Sequence, residues 1–244
     1  MDIQVTKLIG HVTLVAAILF AFDVHTGICI TDKRIHTAVQ YVLNKYLNPH
    51  QIKGQHAYIL KFTQEECNTL NDNVLEGVLE HDTATKVAKA LQNGDVYEGT
   101  RMVIAKPKDN KNYMEHAEYR LLNPIKANQK SAVQKLLDKQ PVNGCVIFYS
   151  LISPCVNKCL NTENRREIMR YMNVFDDIGN NYKVFVYKLI YNVVKQLQKE
   201  QVWNSWKKLN QKMPLYRCDL RDCFQCFPRG DYTVFDNNVC MKDF

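Results

Sequence analysis

The sequence predicts a single α/β domain, a central sheet covered by helices, and three observations carry that expectation. Apolar runs with strand character alternate with amphipathic helical segments between residues 31 and 213. One run, residues 145–151, is bounded by Asn143-Gly144 and Ser153-Pro154, as expected of a buried central strand. The 244 residues are 46% hydrophobic and 23% charged, which suits one globular domain with a real core and excludes a disordered chain. No internal repeat interrupts the pattern.

The first segment reads as a secretion signal. Lys7 precedes the apolar run 12–22, broken only by Thr13, and small or polar residues follow through Gly27. The run is too short to span a bilayer, and no other run approaches the required length of about 18 residues. The expected cut after Thr26 gives a signal peptide over 1–26, a domain over 27–213 and a cysteine-rich extension over 214–244. An N-terminal helix packed in the core, or anchoring the protein, is the alternative. Nine cysteines fit an exported chain, because an oxidising compartment pairs surplus thiols. There is no Asn-x-Ser/Thr sequon to add support.

The elements follow in order. Residues 31–47 place Ile35, Ala38, Val39, Val42, Leu43 and Tyr46 at helical spacing. Tyr58, Leu60 and Phe62 alternate within 57–62, and 102–105 is a second extended stretch, so a pair of strands is expected. The polar segment 63–100 between them is read as turns around one short helix at 82–91. A Pro-containing connection, 106–112, leads to a helix over 114–122 supported by Ala117, Leu121 and Leu122. A helix is expected over 155–175, a strand over 183–191, and an amphipathic helix over 194–213 presenting Leu197, Val202, Trp206, Leu209 and Met213. Beyond Pro214 the helix-poor tail reads as a disulfide-stapled extension of the same domain.

Two segments carry the chemistry: His116-Ala117-Glu118 at a predicted helix start, and Ser153-Pro154-Cys155-Val156-Asn157-Lys158-Cys159 directly after the central strand. One imidazole and two thiolates fill three corners of a tetrahedral zinc site and leave the fourth for water, whose pKa zinc lowers towards about 7. His116, Cys155 and Cys159 are therefore the expected ligands. Glu118 is the expected proton shuttle, a carboxylate beside the fourth position that takes a proton from water and returns it to a leaving amino group. Pro154 favours the first turn of a helix, which would set Cys155 and Cys159 one turn apart on one face. The alternative gives His116 and Glu118 to a solvated helix face and one cysteine to a disulfide.

At these residues the chain resembles the zinc-dependent nucleoside and nucleic-acid deaminase superfamily. Ser-Pro-Cys after an apolar strand, the signal segment and the cysteine-rich tail make it similar to the secreted AID/APOBEC-like deaminases of vertebrates. The resemblance implies a three-layer α/β/α sandwich of the cytidine deaminase-like type, bound Zn2+, and conversion of cytosine to uracil in single-stranded DNA or RNA, in a setting of immunity. Three departures stand out. The cysteines are separated by three residues instead of two, the interval from Glu118 to Pro154 is long, and Ile152 stands where that branch tends to have a tryptophan. The last removes an aromatic surface from the pocket wall. A free-nucleoside (cytidine) deaminase and a non-catalytic secreted binding protein with the same fold are the rival functions.

The remaining residues admit plainer readings. Cys29, Cys67, Cys145, Cys218, Cys223, Cys226 and Cys240 can form three disulfides with one thiol over, and Cys145, in the buried strand, is the expected free one. Disulfides are preferred over a second zinc site at Cys218, Cys223, Cys226 and Cys240. The 32 basic against 25 acidic residues, net +7, suit a polyanionic partner. Lys106, Lys108, Lys111, Lys158, Arg165, Arg166 and Arg170 could border the pocket and hold phosphates, or simply face solvent. Tyr113, Phe148 and Tyr149 either stack on a base or fill the core. His36, His50, His56 and His81 lack metal-ligand spacing, and Trp203 and Trp206 are expected to pack against the sheet.

Overall fold

The computed structural model describes residues 30–126, 128–139, 144–228 and 238–242; the expected signal peptide lies outside the described residues. Helix α1 (Asp32–Val42) buries Ile35, Ala38, Val39 and Val42, and a π-helical turn (Leu43–Leu47) continues it to bury Tyr46 and Leu47. Strand β1 (Ala57–Thr63) follows, then α2 (Gln64–Asn68), α3 (Asp72–Val78) and α4 (Ala84–Gln92). The polar stretch thus holds three helices where one was expected. Thr63 and Glu66 form a reciprocal capping box on α2, and Asn71 caps α3. Residues that look like turn formers in composition are here the caps that start helices.

Strands β2 (Tyr97–Glu98) and β3 (Met102–Ala105) lead to a small hairpin, β4 (Lys108–Asp109) and β5 (Met114–Glu115), and then to α5 (Ala117–Leu122). The predicted helix over 114–122 loses its first turn because Met114 and Glu115 pair with Asp109 and Lys108. Helix α6 (Ala132–Asp138), absent from the sequence reading, precedes β6 (Gly144–Ile152). The chain ends with β7 (Lys183–Leu189), α7 (Lys199–Lys212), β8 (Leu215–Cys218) and β9 (Cys223–Gln225).

No α-helix forms over 155–175. The side chains of Asn161 and Asn164 accept from the amides of Glu163 and Arg166, and the buried Glu167 carboxylate takes the amide of Arg170. These local side-chain bonds compete with the helical ladder. Turns run as far as a 3-10 helix at Met169–Phe175.

Seven strands form one sheet in the order β2-β3-β1-β6-β7-β8-β9. β6, β7 and β8 are mutually parallel, while β1 is antiparallel to both β3 and β6. Alternation along β1 splits the core. Ala57 and Ile59 face a layer containing α5, α6 and α7, and Tyr58, Leu60 and Phe62 face a layer built by α1, the π turn, α3 and α4. The architecture is the three-layer sandwich expected. The cysteine-rich tail supplies two of its strands, since β8 pairs with β7 and β9 with β8. Gly144 is required by close approach: a Cβ there would lie 1.7 Å from the Phe62 carbonyl oxygen.

Three disulfides join Cys67 to Cys145, Cys218 to Cys223 and Cys226 to Cys240. Cys145 is therefore not a free thiol. Burial in a strand did not exclude pairing, because α2 packs over β6 and brings Cys67 to it. The tail cysteines form disulfides rather than a second zinc site. Trp203 stacks near Phe227 and Trp206 near Tyr187, as packing residues. Among the described residues no helix is long and apolar enough to cross a membrane.

His56 is buried against Tyr58 and Tyr149, and its Nδ1–H donates to the Gly54 carbonyl at 2.9 Å. Burial pushes its pKa down from 6.5 to about 4, with Lys106 and Lys188 acting in the same direction. The unfolded chain then binds the proton more readily, so this contribution to stability is complete above pH 6.5 and is lost as pH falls towards 4. Over that window His56 should account for up to ~3 kcal/mol of lost unfolding free energy. Urea unfolding across the pH range should show a shallower acid slope in His56→Gln, and an unchanged slope would exclude this ring as the titrating group.

Candidate metal centre

The centre lies at the carboxyl ends of the central strands β6 and β7. His116 is the extended residue (φ −70°, ψ 152°) immediately before α5, and its carbonyl accepts the Arg120 amide at 3.1 Å to close the first helical turn. Glu118 falls in that turn and is only 2% exposed. Across these strand ends, Ser153 leaves β6 with its amide bonded to the Leu189 carbonyl at 2.7 Å, and Pro154 turns the chain. Cys155 and Cys159 then share one wide turn, closed by the Leu160 amide on the Cys155 carbonyl at 3.1 Å. That bond spans five residues, so the three-residue spacer between the cysteines is absorbed by a turn rather than by the predicted helix.

The turn brings both sulfurs to the histidine. His116 Nδ1 lies 3.2 Å from Cys159 Sγ and 3.6 Å from Cys155 Sγ, and the sulfurs are 3.3 Å apart. Zinc bonds of about 2.3 Å to sulfur and 2.0–2.1 Å to nitrogen set the corners of a tetrahedron roughly 3.5–3.8 Å apart, within about half an ångström of this triangle. The three residues can therefore hold a metal ion, and they form the one His/Cys/acid cluster of that kind among the described residues. Cys155 and Cys159 are also the only unpaired thiols among them. A hydrogen bond from the Cys159 thiol, aided by His116 and the Cys159 amide, holds Cys155 well below the usual thiol range; the same contact raises Cys159. Contact with the Cys155 sulfur raises His116.

A cavity of about 180 Å³ opens beside the triangle, walled by Gln55, Pro107, Met114, His116, Glu118, Ile152, Ser153, Cys155 and Tyr191. Burial pushes the Glu118 carboxyl above the usual range, and a hydrogen bond from Ser150 opposes the shift. Ser150 Oγ donates to Glu118 Oε1 at 2.6 Å, and Gln55 Nε2 reaches the same oxygen at 3.3 Å. Glu118 Oε2, by contrast, is buried with no hydrogen-bond partner. A buried carboxylate oxygen left without a donor is costly unless something else satisfies it, and a polar ligand in this cavity would do so.

The other sequence candidates separate. Phe148 and Tyr149 are core residues, packed on Phe185 and Tyr58 respectively. Tyr113 lies under the Arg166 guanidinium, 3.3 Å from ring centroid to the charge, which ties the β4–β5 hairpin to the cysteine-bearing segment. Arg170 pairs with Glu167. Lys108, Lys111, Lys158 and Arg165 are exposed and Lys106 is half-buried. Gln55, Ser150 and Tyr191 had no signal in the sequence, since each reaches the site only through strand register. Tyr191 stands edge-on to His116 with centroids 6.5 Å apart, and it supplies an aromatic wall where Ile152 does not.

A sandwich of this topology with such a centre is a deaminase-like domain. The family described as Secreted Novel AID/APOBEC-like Deaminase 1 matches residues 34–244, and the chain belongs to it. No curated protein and no solved structure matches the chain.

Purified protein should carry one zinc per chain by elemental analysis, and Cys155→Ala or Cys159→Ala should each lose nearly all of it. A Cys226→Ser/Cys240→Ser protein should keep it. A folded wild type without metal would overturn the assignment of the two thiols.

Proposed function

We propose that the chain is a secreted, zinc-dependent hydrolytic deaminase that converts cytosine to uracil in single-stranded DNA or RNA. The observation that carries this reading is the unpartnered Oε2 of buried Glu118 in the cavity beside the His116, Cys155 and Cys159 triangle.

In this reading His116, Cys155 and Cys159 hold the metal, with Nδ1 the ligating nitrogen of the histidine. Zinc supplies a water acidic enough to ionise near neutral pH. Glu118 would accept a proton as water adds to the amino-bearing ring carbon; of the water's two protons one would end on the neighbouring ring nitrogen and the other would leave with the amino group as ammonia. The raised pKa of Glu118 suits a group that must both accept and return a proton. Tyr191, Ile152, Met114 and Pro107 give the cavity apolar walls suited to a flat ring and a low-dielectric site.

A polymer substrate is supported by the net charge of +7 and by the cations flanking the site, Lys106, Lys108 and Lys111 before it and Lys158, Arg165 and Arg166 after it. Export is supported by the family's description as secreted and by three disulfides. The substrate would then be nucleic acid outside the cell, a setting that suits immunity.

Ammonia release from single-stranded DNA, RNA and cytidine should favour a polynucleotide, with binding that weakens steeply as salt rises. Glu118→Gln should lower turnover by at least about 10²-fold without loss of stability, since general acid–base groups contribute 10²–10⁴-fold. Activity on cytidine alone, insensitive to salt, would move the assignment to a nucleoside deaminase; no activity on any of the three in zinc-loaded protein would leave a binding protein. N-terminal sequencing of protein from culture medium should begin near Gly27, and retention in the cell with Met1 intact would overturn export.

A further inference from the structure

Two side chains outside both motifs converge on Glu118. Ser150 sits on β6 opposite Ala57 of β1, and Gln55 lies two residues before Ala57, so the β1–β6 register sets them side by side. Gln55 Nε2 donates to Ser150 Oγ at 3.0 Å and to Glu118 Oε1 at 3.3 Å. The Ser150 hydroxyl has one proton and two acceptors in reach, Glu118 Oε1 at 2.6 Å and the Ile152 carbonyl at 2.8 Å; the shorter contact is in the range of a charge-assisted O–H···O bond and takes the proton when Glu118 is ionised. The backbone here is held on both sides. His56 accepts the Leu151 amide at 3.0 Å, and its ring is tied to Gly54. Both side-chain donors that reach the carboxylate meet Oε1, and Oε2 has no hydrogen-bond partner.

Building on the deaminase reading, we propose that Gln55 and Ser150 are positioning residues which clamp Oε1 of Glu118 and leave Oε2 as the oxygen that exchanges protons in the cavity. A carboxylate free to rotate about its last torsion would present either oxygen, or neither, to the reacting atoms. Two donors on one oxygen remove that freedom, and the side chains giving them are themselves fixed by the sheet. The clamp also accounts for the Gln55 carboxamide orientation. An acceptor carboxylate requires its NH2 end, which leaves Gln55 Oε1 buried and unpartnered on the cavity wall.

The test combines crystallography with kinetics on zinc-loaded full-length wild type, Ser150→Ala, Ser150→Thr and Gln55→Met. In crystals of Ser150→Ala the Glu118 carboxyl should rotate from its wild-type position, and Ser150→Thr, which keeps the hydroxyl, should restore it. Turnover should fall by about 10²-fold in Ser150→Ala, as for a reacting group misplaced by about an ångström, with KM and zinc content nearly unchanged. Gln55→Met should show the same pattern more weakly. A Glu118 carboxyl that stays in place in both Ser150→Ala and Gln55→Met, or a threonine that fails to restore it, overturns the clamp. If wild type releases no ammonia, the deaminase reading fails while the crystallographic arm still decides whether the clamp exists.

Discussion

The parallel pairing of β6 with β7 is the constraint on which the site depends. Parallel neighbours cannot be joined by a tight turn, so the chain must leave the end of β6, cross over one face and return to the start of β7. The crossover begins with Ser153, Pro154 and Cys155, at the end where Ile152 is paired with Leu189 and where Tyr191 leaves β7. The antiparallel strands feed the same end. Ala57 faces Ser150 on one side and Ala105 on the other, so the entry to β1 brings Gln55 and the exit from β3 brings Pro107 and the hairpin that ends at His116. Five chain segments meet because four strand ends coincide, at the carboxyl ends of the parallel strands where open α/β sheets place their ligands.

That convergence leaves two polar atoms of one site without a protein partner. Among the described residues, five buried polar side-chain atoms lack a hydrogen-bond partner, and two of them, Gln55 Oε1 and Glu118 Oε2, belong to residues that line the same cavity. The other three are Tyr58 Oη, Asn68 Oδ1 and Trp206 Nε1, none of whose residues lines it. The buried ammonium of Lys61 reaches the carbonyls of Leu136, Leu137 and Lys139 at the end of α6, and the buried Asp82 takes Tyr97 and the amides of Thr100 and Arg101. The pair at the cavity stands out because both atoms belong to one site, the arrangement expected where local rules are broken for function.

Legibility in the sequence followed the range of the interactions involved. The alternation of Tyr58, Leu60 and Phe62, the bounded run ending at Leu151 and the spacing within His116-Ala117-Glu118 and from Cys155 to Cys159 are local patterns, and they pointed to the sheet and to the triangle. What could not be read depended on partners distant in the chain. Cys145 looks like an inert core thiol until α2 delivers Cys67, and Ser150 looks like one more strand residue until register sets it beside Gln55. The failed helix after Cys155 is a different case. Asn161, Asn164 and Glu167 are visible in the sequence, but which amides their side chains take depends on the turn already imposed by Pro154 and the two cysteines.

The partition of the cysteines links cofactor and compartment. Among the described residues six are paired in disulfides, and the two that are not lie with sulfurs 3.3 Å apart, separated by a single turn. In an oxidising compartment neighbouring thiols are prone to join, the more so when hydrogen bonds push the pKa of one of them down, as those from Cys159 and His116 do for Cys155. A metal ion that engages both sulfurs removes the nucleophile. For an exported chain, zinc at His116, Cys155 and Cys159 would therefore protect the site as well as serve it, and the ion would have to arrive before oxidation closes the pair. The Cys159 amide, 3.2 Å from Cys155 Sγ, favours the thiolate that the metal needs and the oxidant would also attack. Order of arrival, rather than affinity alone, would then decide whether a folded molecule is competent.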